Sequence, residues 1–144
     1  RVFFDTNVVL YLLSKNENKA NAVESLLSSG GVVSVQVLNE LINVTRRKLA
    51  MPWPDINELV ESIARICTVN PLTIETHRQG RWLAERYQFN PYDAMIIASA
   101  LQTECHLVYS EDMHDGLVVE EKLTITNPFK WPAPTPATPP GPPR

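Results

Sequence analysis

The chain alternates short apolar runs with longer segments in which apolar residues recur every three or four positions. The short runs predict strands at residues 2–4, 32–33, 67–69, 106–109 and 123–126. The longer segments predict helices that begin near residue 8 and span 17–29, 35–49, 55–66, 73–87 and 91–104. Strands that alternate with pairs of helices are typical of a parallel sheet covered on both faces. The pattern therefore predicts one α/β domain with five strands.

The composition changes near the end of the chain. Eight prolines fall within residues 128–144. A segment this rich in proline has little apolar surface to pack and favours an extended polyproline conformation. We therefore predict a folded domain over residues 1–129 and a proline-rich, disordered tail over residues 130–144. A segment that binds a partner is the alternative interpretation of this tail.

The overall composition narrows the class of protein. With 144 residues, 44% hydrophobic and 20% charged, the chain resembles an ordinary globular protein with a full core. Its net charge of −3 argues against a broad basic surface that binds nucleic acid by charge alone. Cys67 and Cys105 lie beside apolar residues, which favours buried thiols in a cytoplasmic protein, with one disulfide as the alternative. We expect no membrane association, because we find neither a membrane-length apolar run nor a signal peptide.

Four acidic residues stand out by their positions. Asp5 and Asp112 each follow a predicted strand, Glu40 lies at the edge of an apolar helical stripe, and Asp93 opens an apolar helix. Each has an ordinary explanation alone, such as a turn, a solvated helix edge or the helix dipole. If the first and fourth strands are neighbours, however, all four reach the carboxyl edge of the sheet, where ligands bind in such folds. Clustered carboxylates repel one another unless a cation is present, and oxygen ligands suit Mg²⁺ or Mn²⁺.

Other kinds of active site are not supported. The three histidines show no zinc-ligand spacing, and the sequence contains neither a glycine-rich phosphate loop nor a recognisable serine–histidine pair. Asp115 is a further acidic residue near the predicted site, but its position before Gly116 favours a turn.

Four short motifs, in this order, resemble a known family. They are Asp5-Thr6-Asn7 after an apolar strand, an acidic residue in the third helix, Asn90-Pro91-Tyr92-Asp93 at the start of an apolar helix, and Ser110-Glu111-Asp112 after the fourth strand. Together they resemble PIN-domain ribonucleases, and among these the VapC-type toxins of bacterial toxin–antitoxin pairs. The resemblance covers residues 1–129. It implies a PIN-like three-layer sandwich with a mostly parallel five-stranded sheet, the first strand central, and helices on both faces.

The resemblance also implies roles for particular residues. The family's four catalytic acidic positions match Asp5, Glu40, Asp93 and Asp112. Of these, Asp5, Asp93 and Asp112 would bind Mg²⁺ or Mn²⁺, and Glu40 would complete the site directly or through water. The supporting positions, which hydrogen-bond to the carboxylates in the family, match Thr6, Asn7 and Ser110. Helix capping and turn formation explain these three residues equally well.

The function that the resemblance implies is cleavage of structured RNA, such as tRNA or rRNA, by metal-activated water. The implied partners are the RNA, a cognate antitoxin protein and a second copy of the chain, all in the cytoplasm. One alternative is a PIN-like binding or regulatory module whose acidic pocket is catalytically idle. A phosphotransfer enzyme acting through Asp5 is less consistent with Asn7, where a second acid is expected, and with the lack of lysines between Lys48 and Lys122.

Overall fold

The computed structural model of the protein describes residues 1–130. The helices are α1 (Thr6–Val9), which continues as a 3₁₀ turn (Leu10–Leu13), α2 (Glu17–Ser28), α3 (Val35–Arg47), α4 (Trp53–Ile66), α5 (Ile74–Tyr87) and α6 (Pro91–Gln102). The strands are β1 (Val2–Phe4), β2 (Val32–Ser34), β3 (Thr68–Asn70), β4 (Leu107–Tyr109), β5 (Val118–Val119) and β6 (Leu123–Thr126). The predicted tail, apart from Lys130, lies outside the described residues.

The strands form one sheet in the order β3-β2-β1-β4-β6-β5. β1 pairs in parallel with β2 and β4, so that Phe3 lies opposite Val32 on one side and Val108 on the other. β4 and β6 are also parallel, whereas β5 pairs antiparallel with β6. The mostly parallel sheet is confirmed. The prediction of five strands was wrong by one, because the two-residue strand β5 was not recognised.

Both faces of the central strands are covered. Successive side chains of a strand point to opposite faces, yet Phe3 and Phe4 are both fully buried, as are Val32 and Val33 in the next strand. The covering includes α6, which packs against β2, β4, α3 and α5. Half of the twelve residues of α6 are buried, including the unbroken run Ile96–Ala100, which explains why the middle of this helix has almost no polar side chains. The sheet therefore lies inside the α/β sandwich that the sequence predicts.

The helix starts agree only partly with the sequence interpretation. Ser34 and Asn90 are the N-caps of α3 and α6, and the side-chain oxygen of each accepts a backbone N–H of its helix, as these residue types favour. The N-cap of α1 is Asp5 itself, whereas Thr6 and Asn7 were predicted to cap a helix starting at residue 8. The predicted start of α4 at Asp55 was also late, since this helix begins two residues earlier. A proline in its first turn is tolerated there because that N–H needs no helical partner.

Two further properties bear on the class of protein. Among the helices within residues 1–130, none combines the length and the apolar character that a bilayer crossing requires. Cys67 and Cys105 are both buried free thiols, and burial raises the pKa of Cys67 to about 11. The prediction of buried thiols is confirmed.

Candidate active site

Asp5 is the most buried of the four acids at the carboxyl edge of the sheet. It follows β1 directly and is only 5% exposed. Its Oδ1 accepts a hydrogen bond from the Thr6 backbone N–H at 2.7 Å, and its Oδ2 accepts one from the Ser110 hydroxyl at 2.8 Å. Ser110 follows β4, so this second bond joins the ends of two neighbouring strands. Both carboxylate oxygens therefore have fixed directions.

The surroundings of Asp5 favour its protonated form. Burial raises the pKa of this carboxyl group from 3.8 to about 7, although the hydrogen bonds from Ser110 and Thr6 act in the opposite direction. The negative charges of Asp93 and Glu40 raise the pKa of Asp5 further. Three of the four predicted acids therefore lie close enough to influence one another.

Glu40 faces the same edge from α3. Its Oε1 accepts a hydrogen bond from the Thr6 hydroxyl, and its Oε2 accepts one from the side-chain amide of Gln36 at 3.3 Å. The same Gln36 amide nitrogen donates to the Tyr92 carbonyl oxygen at 2.7 Å. Gln36 therefore connects Glu40 to the first turn of α6.

The first turn of α6 carries Asp93, which is half-buried. Burial raises the pKa of this carboxyl group, and the charges of Glu40 and Asp112 raise it further. Asp112 is exposed and lies in the loop after β4. The structure therefore brings all four predicted acids to one edge of the sheet, with Asp93 near the charges of both Glu40 and Asp112.

The loop that carries Asp112 is held by backbone hydrogen bonds. The Oδ1 of Asn7 accepts from the Glu111 N–H at 3.2 Å, and the Ser110 hydroxyl oxygen accepts from the Met113 N–H at 3.2 Å. Thr6 and Ser110, of the three predicted supporting residues, therefore contact carboxylates, whereas Asn7 contacts the loop backbone.

Sequence reasoning missed Gln36 as part of this arrangement. The available signal was its position four residues before Glu40, which places the two side chains on one helix face. For Asp115 the turn interpretation was the better one. Its Oδ1 accepts from the Asn127 N–H at 2.7 Å and joins the turn before β5 to the end of β6.

The donor set fits a divalent cation held largely by water. No three histidine, cysteine or acidic side chains within residues 1–130 converge closely enough to form a closed metal site as they stand. Mg²⁺ does not need such a cage, because it is commonly bound by one or two carboxylates and keeps several waters. In the described part of the chain, no lysine or arginine contributes to the pKa shifts of Asp5 and Asp93. A cation would relieve the repulsion among these acids.

Comparison with known proteins identifies the domain. The sequence model of the PIN domain family matches residues 2–114, which is most of the chain. A search of curated protein sequences gave no significant match.

Solved structures with the same fold include toxins and toxin–antitoxin complexes. A toxin–antitoxin complex from Klebsiella pneumoniae matches with a TM-score of 0.67 and 15% identity, over 89% of this chain and 98% of that one. A DNA-bound VapBC complex from Salmonella typhimurium matches with a TM-score of 0.65 and 21% identity, over 89% and 98%. A sarcin–ricin-loop-cleaving VapC toxin from Mycobacterium tuberculosis matches with a TM-score of 0.57 and 17% identity, over 78% and 90%. At these identities the likeness establishes the fold.

Proposed function

The chain belongs to the PIN domain family, and we propose that it is a metal-dependent endoribonuclease and the toxin of a toxin–antitoxin pair. The observation that carries the proposal is the group of four acids at one sheet edge, in which the charges of neighbouring carboxylates raise the pKa values of Asp5 and Asp93. Residues 1–129 are the proposed nuclease domain. The proposed place of action is the cytoplasm.

The proposed cation, Mg²⁺ or Mn²⁺, would be held by Asp5, Asp93 and Asp112, in part through its bound waters, with Glu40 acting directly or through water. A cation bound there would polarise the scissile phosphate and lower the pKa of a water bound to it. Side chains of the protein orient the carboxylates. Ser110 fixes the second oxygen of Asp5, and Thr6 contacts both Asp5 and Glu40.

The proposed substrate is a structured RNA such as tRNA or rRNA. The support is the Mycobacterium tuberculosis toxin of the same fold, which cleaves the sarcin–ricin loop. The net charge of −3 fits recognition by local shape and a metal-filled site, because it gives no broad basic surface.

The proposed protein partners are a cognate antitoxin and a second copy of the chain. A cavity of about 330 Å³ lies beside Asp112 and has apolar walls that include Leu10, Leu13, Val44 and Leu49. An apolar segment of an antitoxin that filled this cavity would lie against the acidic edge and exclude RNA. The toxin–antitoxin complex from Klebsiella pneumoniae, which has the same fold, supports a partner of this kind.

A cleavage assay tests the enzymatic proposal. The purified protein is incubated with total cellular RNA in Mg²⁺ or Mn²⁺, and cut sites are mapped. We expect discrete cuts that disappear with EDTA and in Asp5→Asn and Asp93→Asn proteins. Asp55→Asn, an exposed aspartate in the first turn of α4, is the matched control and should cleave normally. Equal cleavage by all four proteins would contradict the proposal, and no cleavage by any of them would favour the idle binding module.

A growth assay tests the antitoxin proposal separately. Induction of the wild-type protein should arrest bacterial growth, and co-expression of the small protein encoded by the neighbouring gene should relieve the arrest. Arrest that persists during co-expression would exclude that protein as the antitoxin while leaving the nuclease proposal intact.

A further inference from the structure

Tyr92 is an aromatic residue next to the acidic group that the proposed chemistry does not use. It directly precedes Asp93, and its side chain is 69% exposed, more than any other large hydrophobic residue within residues 1–130. An exposed ring is not unusual by itself. This ring, however, lies next to the four acids, so a molecule that contacts it would also lie close to the candidate active site.

The backbone of Tyr92 is fixed on both sides. Its N–H donates to the Oδ1 of Asn90 at 2.8 Å, and its carbonyl oxygen accepts from the side-chain amide of Gln36 at 2.7 Å. Pro91 restricts the preceding backbone further. Gln36 is itself only 9% exposed and also contacts Glu40. The exposed ring is therefore presented from a rigid backbone that is directly connected to the acidic group.

Tyr92 lines two clefts. One, of about 390 Å³, extends toward His77 at the start of α5. The other, of about 460 Å³, extends along α3 and is lined by Asn39, Glu40 and Asn43. Tyr92 and Leu72 line both clefts. A flat molecule on the α3 side of the ring would therefore contact amide side chains while lying beside one of the four acids.

The chemistry of the α3 cleft fits a nucleobase. Its walls offer an aromatic ring, an apolar side chain and the amides of Asn39 and Asn43, which can pair with the polar edge of a base. A phosphate or an acidic peptide would instead meet the carboxylate of Glu40. Arg46 and Arg47 follow on α3 beyond Asn43 and are exposed, so cations are available one turn away for the backbone of a bound strand.

We propose that an unpaired base of the RNA substrate stacks on Tyr92 in the cleft beside Glu40, with Asn39 and Asn43 as candidate partners for the base edge. Single-stranded RNA is commonly recognised by stacking on aromatic side chains together with hydrogen bonds to base edges. The inference rests on the proposed ribonuclease function. It adds to that function a requirement for an unpaired nucleotide next to the cleaved bond.

The test measures RNA binding without cleavage. A short single-stranded RNA carrying 2-aminopurine is titrated with full-length protein in EDTA, because stacking quenches the fluorescence of this base. Wild-type and Tyr92→Phe proteins should bind and quench. Tyr92→Ala should bind about tenfold more weakly and lose most of the quenching, as expected when one stacking ring is removed. Trp82→Ala is the matched control. Trp82 lies on α5, is 48% exposed and lines neither cleft, so its replacement should change neither RNA binding nor quenching.

Cleavage kinetics separate this subsite from the nuclease proposal. Tyr92→Ala should raise KM more than it lowers kcat, with the fold checked by circular dichroism. Equal binding and quenching by wild-type and Tyr92→Ala proteins would overturn the subsite, even if both cleave RNA. Binding and quenching that depend on Tyr92 in a wild-type protein without cleavage activity would support the subsite and contradict the nuclease proposal. Unchanged RNA binding with lost antitoxin neutralisation would also overturn the subsite, since the ring would then belong to a protein interface.

Discussion

The two edges of the sheet differ in cavity size and in chemistry. The amino-terminal side has a cavity of about 630 Å³, lined in part by Arg1, Gly30, Gly31 and Thr68, which is larger than either cleft beside Tyr92. None of its lining residues is acidic. The carboxyl edge has smaller clefts but gathers the four acids, and polar residues directly follow the ends of β1 and β4. We therefore place the candidate site by the convergence of chemical groups and not by cavity volume.

The physical origin of this difference is the parallel arrangement of the strands. Helices begin where parallel strands end, so the carboxyl edge collects caps and helix N-termini. At the other edge, the chain before β2 packs closely against β1. At Gly31, with φ of +155°, an added Cβ would lie 2.5 Å from the Cε2 of Phe4 and 3.0 Å from the Val2 carbonyl oxygen. The start of β2 can approach β1 only because that residue has no side chain.

We expect the two edges to differ most in how substitutions change the free energy of unfolding. The clustered carboxylates repel one another, and this repulsion destabilises the fold when no metal is bound. The folded-state pKa of Asp5 is about 7, above its ordinary value of 3.8. The stabilisation linked to its proton is therefore fully present below about pH 4 and is lost as the pH rises through 7. Asp5→Asn should raise the free energy of unfolding of the metal-free protein by up to about 4 kcal/mol at pH 8, with a smaller gain at pH 5.

Urea unfolding in EDTA at the two pH values measures this effect. Asp55→Asn is again the control and should change the free energy of unfolding by at most about 1 kcal/mol at either pH. A destabilised Asp5→Asn protein at pH 8 would show that this carboxylate supports the fold, and the contrast between the two edges would fail.

A substitution at the amino-terminal edge should instead lower the free energy of unfolding and leave the cleavage rate unchanged. Gly31→Ala should lower the free energy of unfolding by about 1–3 kcal/mol, because the new methyl group overpacks against Phe4 and Val2. Gly116→Ala is the control for backbone strain, since it also has a positive φ but no atom within 4 Å of the added Cβ. Chemical denaturation should show a larger loss for Gly31→Ala, while both proteins keep wild-type kcat when folded. A marked loss of kcat in folded Gly31→Ala would argue that the two edges are coupled.

The smallest expected effect concerns a residue that positions an acid. Ser110→Ala removes the hydroxyl that contacts the Oδ2 of Asp5 and the Met113 N–H. We expect cleavage to fall about tenfold, the lower end of the range for groups that orient a metal ligand. Ser110→Thr keeps the hydroxyl and should recover part of the activity. Steady-state cleavage rates test this, and an Ser110→Ala protein as active as wild type would leave Ser110 with a turn-forming role only.

The convergence of the four acids was predictable because it depends only on the strand positions, their parallel pairing and the helix starts. Short apolar runs locate the strands, and pairing of β1 with β4 brings the chain after Phe4 next to the chain after Tyr109. The caps at Ser34 and Asn90 follow from the side chains themselves. These features are local or follow from parallel topology, and so an isolated sequence indicates them.

The strand β5 was not predictable because its turn lacks the usual residues. The chain reverses between β5 and β6 through Glu120 and Glu121, which both adopt positive φ values of 52° and 59°. Tight turns of this kind normally carry glycine or asparagine. Two consecutive glutamates give no turn signal, and a strand of two residues is too short for a period to be recognised.

The connection through Gln36 lay beyond sequence reasoning for a different reason. The spacing to Glu40 is visible, but the bond from Gln36 to the Tyr92 carbonyl depends on how α3 and α6 cross. A contact between residues this far apart in sequence is set by tertiary packing, and no local pattern records it.

The central claim is that the acids at the carboxyl edge together bind a divalent cation. Its most direct test is a titration of metal-free protein into Mn²⁺, in which the electron paramagnetic resonance signal of the free ion is measured. Wild-type and Asp55→Asn proteins should reduce this signal in proportion to their concentration, whereas Asp5→Asn and Asp93→Asn proteins should leave most of it unchanged. Equal Mn²⁺ binding by all four proteins, or none by the wild type, would contradict the claim.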